Sequence, residues 1–132
     1  MGVINQRLLE RLRLAKRGLR FDQVALRFIE RLQNALEEAV PAGKTLIVIV
    51  TAPIRMPAKT AAAVEERISN FLAQGPKRRD FRDTINENEV WARLAPGVVR
   101  GQSRVMAFVQ NPDADSDALL SATQALLAQM TA

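Results

Sequence analysis

The chain has 132 residues, 48% hydrophobic and 25% charged, a composition that suits one globular domain and argues against wholesale disorder. It has no cysteine and no histidine, which excludes disulfides, thiolate nucleophiles, imidazole triads and the usual zinc ligand sets. Nineteen Lys and Arg against fourteen Asp and Glu give a net charge of +5. The first twenty residues hold an equal excess, with Arg7, Arg11, Arg13, Lys16, Arg17 and Arg20 against Glu10, so the remainder is close to neutral.

Residues 5–39 carry helical periodicity. Leu8, Leu9, Leu12 and Ala15 recur in a helical order, and Val24, Phe28, Ile29, Leu32, Ala35, Leu36 and Val40 make a clearer stripe. Between the two stripes lies 16-KRGLRFD-22, whose glycine interrupts the pattern and whose Asp22 is placed to cap a helix beginning at Gln23. The expectation is a basic amphipathic helix over residues 1–20, protruding as an arm, followed by a domain over 21–132. A single continuous helix fits the same pattern.

Pro41 and Gly43 end the helix, and 45-TLIVIV-50 follows as a short run rich in β-branched residues and apolar on both alternating faces. Such a run suits a central strand covered on two sides. Pro53 lacks the amide hydrogen that a central strand requires, so the strand stops by Ala52. The next helix runs from about Pro57 to Ala73, with Ala61, Val64, Ile68, Phe71 and Leu72 facing inward.

Residues 74–88 are polar and read as a long loop. Two strand signals follow, 89-EVWARL-94 and 104-RVMAFV-109, separated by the Pro96-Gly97 and 100–103 turns. The aspartates of 111-NPDADSDA-118 suit the positive start of a last helix, whose stripe is Leu119, Leu120, Thr123, Leu126, Leu127 and Met130. The fold class read from this pattern is α/β or α+β. It is a single domain in the order α-α-β-α-β-β-α, with a small mixed three- to four-stranded sheet packed against helices.

The loop 51-TAPIRMPAKT-60 is the leading candidate site. Free amides at the start of the helix, with Arg55, Lys59 and the Thr60 hydroxyl, present the chemistry that holds a phosphate or carboxylate. The loop lacks the glycines of a Walker motif, so the competing reading is a stiff strand-to-helix connection.

A second cluster, Lys77, Arg78, Arg79 and Arg82 with Phe81 beside them, combines phosphate-contacting cations with a stacking aromatic; Phe81 could equally be the anchor of that loop. Arg7, Arg11 and Arg17 on the first helix complete the set for nucleic acid or another partner. Asp80, Asp83, Glu87 and Glu89 with Asn86 or Asn88 offer hard oxygen ligands for Mg²⁺, but their spacing matches no calcium loop.

The sequence therefore points to a non-catalytic binding or assembly protein acting through the basic helix and the 53–60 loop, with no catalytic residue, metal site or cofactor assigned. A nucleic-acid-associated protein is the first alternative and a Mg²⁺-dependent phosphate-handling enzyme the second. Residues 4–20 are the expected surface for a homodimer or a protein partner. Membrane residence is disfavoured, because the longest strongly apolar run, 46-LIVIV-50, is far below the roughly 20 residues that span a bilayer, and the cytoplasm is the default location.

Overall fold

The computed structural model describes residues 18–52, 56–75 and 80–131. Of the expected first helix, residues 1–20, positions 1–17 lie outside them, and 18–20 are not helical but run against β4. The described chain runs α1 (Gln23–Leu36), a 3₁₀ turn (Glu37–Ala39), β1 (Lys44–Thr51), α2 (Ala58–Ala73), β2 (Asp80–Ile85), β3 (Asn88–Pro96), β4 (Val105–Gln110) and α3 (Ser116–Met130). The four strands form one mixed sheet in the order β2-β3-β1-β4, with β1 antiparallel to β3 and parallel to β4.

As its sequence implies, β1 is the covered centre of the sheet. Every residue from Thr45 to Thr51 is buried. Leu46, Val48 and Val50 point into a cluster with Phe28, Leu32 and Leu36 of α1 and Val64, Ile68 and Phe71 of α2. Ile47 and Ile49 point the other way, joining Phe108, Leu119, Leu120 and Leu127 beneath α3. Removing such side chains from water contributes about 1.5–3 kcal/mol each, so β1 anchors both layers. The result is an α/β single domain with α1 and α2 on one face and α3 on the other.

One expected loop contains a strand. Residues 80–85, read as part of a polar connection, form β2 and pair antiparallel with β3 through a two-residue turn at Asn86 and Glu87. Both turn residues have positive φ, 49° and 69°, the backbone that lets a tight hairpin follow the twist of its strands. As an edge strand β2 needs only one apolar face. Phe81 and Ile85 supply that face, while Asp80, Arg82 and Thr84 stay exposed.

The opposite end of the molecule is closed by Gly97. Its amide donates to the Gly43 carbonyl at 2.8 Å, and its carbonyl accepts from the Thr45 hydroxyl at 2.7 Å. With φ at 101°, and with a Cβ there running into the Thr131 side chain, the position requires glycine. Gly97→Ala is expected to destabilise the fold by about 2–3 kcal/mol in urea denaturation. Adding Thr131→Ala should recover part of that loss, the steric part, and leave the backbone part.

Candidate functional site

Strands β1 and β4 are parallel neighbours, yet the helices that follow them leave on opposite faces of the sheet: α2 after β1, α3 after β4. The carboxyl ends of the two strands therefore lie between helices on opposite faces, and open α/β sheets commonly receive ligands at such an edge. Helix α1 also begins there. The Arg20 amide donates to the Val109 carbonyl at 2.8 Å, and Gln33, two-thirds along α1, donates its Nε2 to the Val105 carbonyl at 3.1 Å, so α1 runs antiparallel to β4. Three amino-terminal helix ends with their partial positive charge thus face one edge; Asp22 and Asp115 cap those of α1 and α3, and that of α2 has no side-chain cap.

The buried strand ends at this edge are polar. Gln110, 2% exposed at the end of β4, donates its Nε2 to the Ser116 hydroxyl at 2.6 Å and, more weakly, to Thr51 Oγ1 at 3.5 Å. The two hydroxyls lie 3.4 Å apart. This triad ties the ends of β1 and β4 to the first residue of α3.

Beside it, Gly18–Arg20 runs as a strap along the outer edge of β4, with the Asn111 amide donating to the Gly18 carbonyl at 2.9 Å and Leu19 in the core beneath α3. Arg20 is 8% exposed. Its guanidinium grips Asp22 at both oxygens, Nε to Oδ2 at 2.8 Å and Nη2 to Oδ1 at 3.0 Å, and its Nη1 reaches the Ala52 carbonyl at 3.4 Å. Asp22 also accepts from the Ala25 amide at 3.1 Å, the expected N-cap of α1.

Of the residues expected to bind an anion, Lys59 lies in the first turn of α2, exposed and without a carboxylate partner among the described residues. Thr60 is 1% exposed, and its Oγ1 accepts from Asn86 Nδ2 at 3.2 Å, which ties α2 to the β2–β3 turn. Arg55 lies outside the described residues. So do Arg7, Arg11, Arg17, Lys77, Arg78 and Arg79.

Phe81 and Arg82 point to opposite faces of β2. Phe81 packs on Phe71 of α2 with ring centroids 5.7 Å apart, acting as an anchor. Arg82 lies over the Trp91 ring, 4.2 Å from its centre, and donates to Glu89, which also accepts from Trp91 Nε1 at 2.8 Å.

The four carboxylates weighed as Mg²⁺ ligands are dispersed. Asp80 is held by Arg93 and Asp83 by Arg67, from opposite faces of β2, while Glu87 sits in the turn. Among the described residues no group of three or more carboxylates is placed to hold a metal ion. None of the described helices is long and apolar enough to cross a membrane.

Sequence reasoning counted Arg20 only as one more cation of the arm and overlooked Gln110, Ser116 and Thr51 as a group. Their signal was weak. Each is a polar residue at an element end, and only the parallel pairing of β1 with β4 brings them together. Comparison of the chain with protein-family models, curated proteins and solved structures finds no match.

The Arg20 hydrogen bonds hold the Asp22 carboxyl down to about 2, below its ordinary 3.8. A carboxylate with a depressed folded pKa contributes stability above about pH 4 that is lost as pH falls toward 2. Asp22→Asn should therefore lower the melting temperature at pH 7, and the gap from wild type should close between about pH 4 and pH 2. The effect will be modest, because the side chain is 47% exposed and screened.

Proposed function

We propose that this chain is a non-catalytic binding protein whose ligand carries phosphate oxyanions and approaches the carboxyl edge of β1 and β4. The observation that supports this reading is the strap: Gly18 and Arg20 are hydrogen-bonded to Asn111 and Val109, so the root of the basic segment adjoins the end of β1 and the loop that leads to Lys59. Two cationic stretches of the sequence are thereby rooted at one edge. The third, residues 76–79, leads into β2, which is parallel to β1, and so enters the sheet nearer the opposite edge.

Charge balance argues for an extended ligand over a small one. The same edge carries Asp113 and Asp115 on the β4–α3 connection, Asp117 in the first turn of α3 and Glu87 on the β2–β3 turn. With Lys59 the one cation that the described residues place at the α2 amino end, and without a carboxylate partner among them, a free phosphate ion meets nearly as much repulsion as attraction. A polymer that also engages Arg7, Arg11, Arg13, Lys16 and Arg17 gains several charge-assisted contacts at once and releases counterions in proportion.

The test has two arms. Fluorescence anisotropy with 20-nucleotide single-stranded and duplex probes should show binding at about 50 mM salt that weakens on the order of a hundredfold by 200 mM, as about four phosphate contacts require. Replacing Arg7, Arg11 and Arg17 by Gln should flatten that salt slope by about three contacts, and Lys59→Ala by about one. Inorganic phosphate or a nucleotide at millimolar concentration should shift the melting temperature little; a large shift abolished by Lys59→Ala would instead identify a small-ligand site. If neither probe binds at 50 mM salt, the phosphate reading falls, and assembly through residues 4–20 becomes the reading to follow by light scattering.

A further inference from the structure

We infer that Asp83 guards the open edge of β2 against a second copy of this chain, its carboxylate occupying a backbone amide that an added strand needs. The inference is independent of the ligand, because every residue it uses belongs to β2, β3, the turn between them or α2.

The two-residue turn at Asn86 and Glu87 makes Ile85 and Asn88 the pair that closes the hairpin, and in such hairpins the closing pair exchanges both backbone hydrogen bonds. Alternation then turns the amides and carbonyls of Asp83 and Phe81 toward β3, and those of Thr84, Arg82 and Asp80 outward. Among the described residues no strand lies on that outer side, since β2 ends the order β2-β3-β1-β4. The Thr84 amide is nonetheless engaged. It donates to Asp83 Oδ1 at 2.8 Å, while Asp83 Oδ2 accepts from Arg67 Nη1 of α2, which fixes the carboxylate beside the edge.

A second copy adding antiparallel about a two-fold axis sets side chains of the same face against each other, which leaves few registers. With Arg82 on the axis two guanidinium groups meet, and with Asp83 on it two carboxylates do; like charges directly opposite destabilise a strand pair. These registers overlap residues 80–84 and 81–85 of the strand, and both call on the outward Thr84 amide. With Phe81 on the axis Asp80 faces Arg82 of the copy, but only residues 80–82 of the strand overlap, and Arg93 and Glu89 already hold those two charges. The register centred on Asp83 is the one that a single substitution opens. It sets Phe81 against Ile85 and Arg82 against Thr84, so its only clash of charge is the central pair.

Light scattering on the full chain at high micromolar concentration tests this. Asp83→Thr frees the Thr84 amide, removes the facing carboxylates and supplies a strand-favouring residue, so its mass should double relative to wild type. Reading each variant against wild type cancels association through any other surface. Asp83→Asn loses the charge but keeps an oxygen for the Thr84 amide, and should stay near the wild-type mass. Adding Arg82→Pro to Asp83→Thr removes an outward N–H, which an edge strand tolerates, and should abolish the doubling. In the Asp83→Thr dimer the Arg82 amide should exchange hydrogen about tenfold more slowly than in wild type. Wild-type mass for Asp83→Thr, equal doubling in Asp83→Asn, or doubling that survives Arg82→Pro overturns the guarding role.

Discussion

The burial of β1 on both faces is the constraint from which the rest of the architecture follows. A strand whose alternate residues are all apolar cannot sit at an edge or leave one face to water, so neighbours are needed on both sides and helices above and below. β3 and β4 supply the lateral partners, one antiparallel and one parallel. The parallel partner matters most for the candidate site. It brings two strand ends to the same edge, and the need to cover both faces sends their helices apart, so the arrangement of that edge is a consequence of how the core is closed.

Polar residues then collect at that edge for a related reason. Where the β1–β4 ladder ends, backbone and side-chain groups are too buried for water yet lack ladder partners, and each would cost free energy if left unpaired. Gln110, Ser116 and Thr51 satisfy one another, and Arg20 takes the Ala52 carbonyl while Asp22 neutralises it. At the far end of β4, Gln33 caps the Val105 carbonyl with its nitrogen, but its Oε1 is buried without a hydrogen-bond partner. Each end thus combines made and unmade bonds: Thr45 donates to the Gly97 carbonyl at the Gln33 end, and at the carboxyl edge Asn88 buries an Oδ1 that has no hydrogen-bond partner either.

Much of this was legible in the residue pattern, and what escaped did so for identifiable reasons. The 45–50 run announced a doubly covered strand because nothing but burial on both faces explains its composition. Asp22 before Gln23 announced a cap, since an aspartate following a glycine-interrupted stripe has one common local use. β2 was hidden because an edge strand with one dry face needs few apolar residues; Phe81 and Ile85, four apart, leave the alternation with two marks, and its charged positions imitate a loop.

The candidate site was half legible. The β1–α2 loop and the arm stood out by charge, whereas Thr60 looked like a ligand-facing hydroxyl and is a buried tie to Asn86. Arg20 was indistinguishable by composition from its neighbours in the arm. What separates it is Leu19 beside it, whose burial pulls the strap onto β4 and takes Arg20 out of water.

That separation bears on how the net charge is arranged. Arginines kept on an arm raise the encounter rate with an anionic partner without loading the folded domain with mutual repulsion. Within the described domain the cations near carboxylates are largely paired: Arg93 with Asp80, Arg67 with Asp83, Arg82 with Glu89, Arg31 with Glu65. Such pairs on β2 and β3 also keep an exposed edge strand from recruiting another chain. The described domain pairs many of its surface charges, while the excess of the sequence lies in the first twenty residues, whose last three form the strap on β4. The strap is the point where the two are joined.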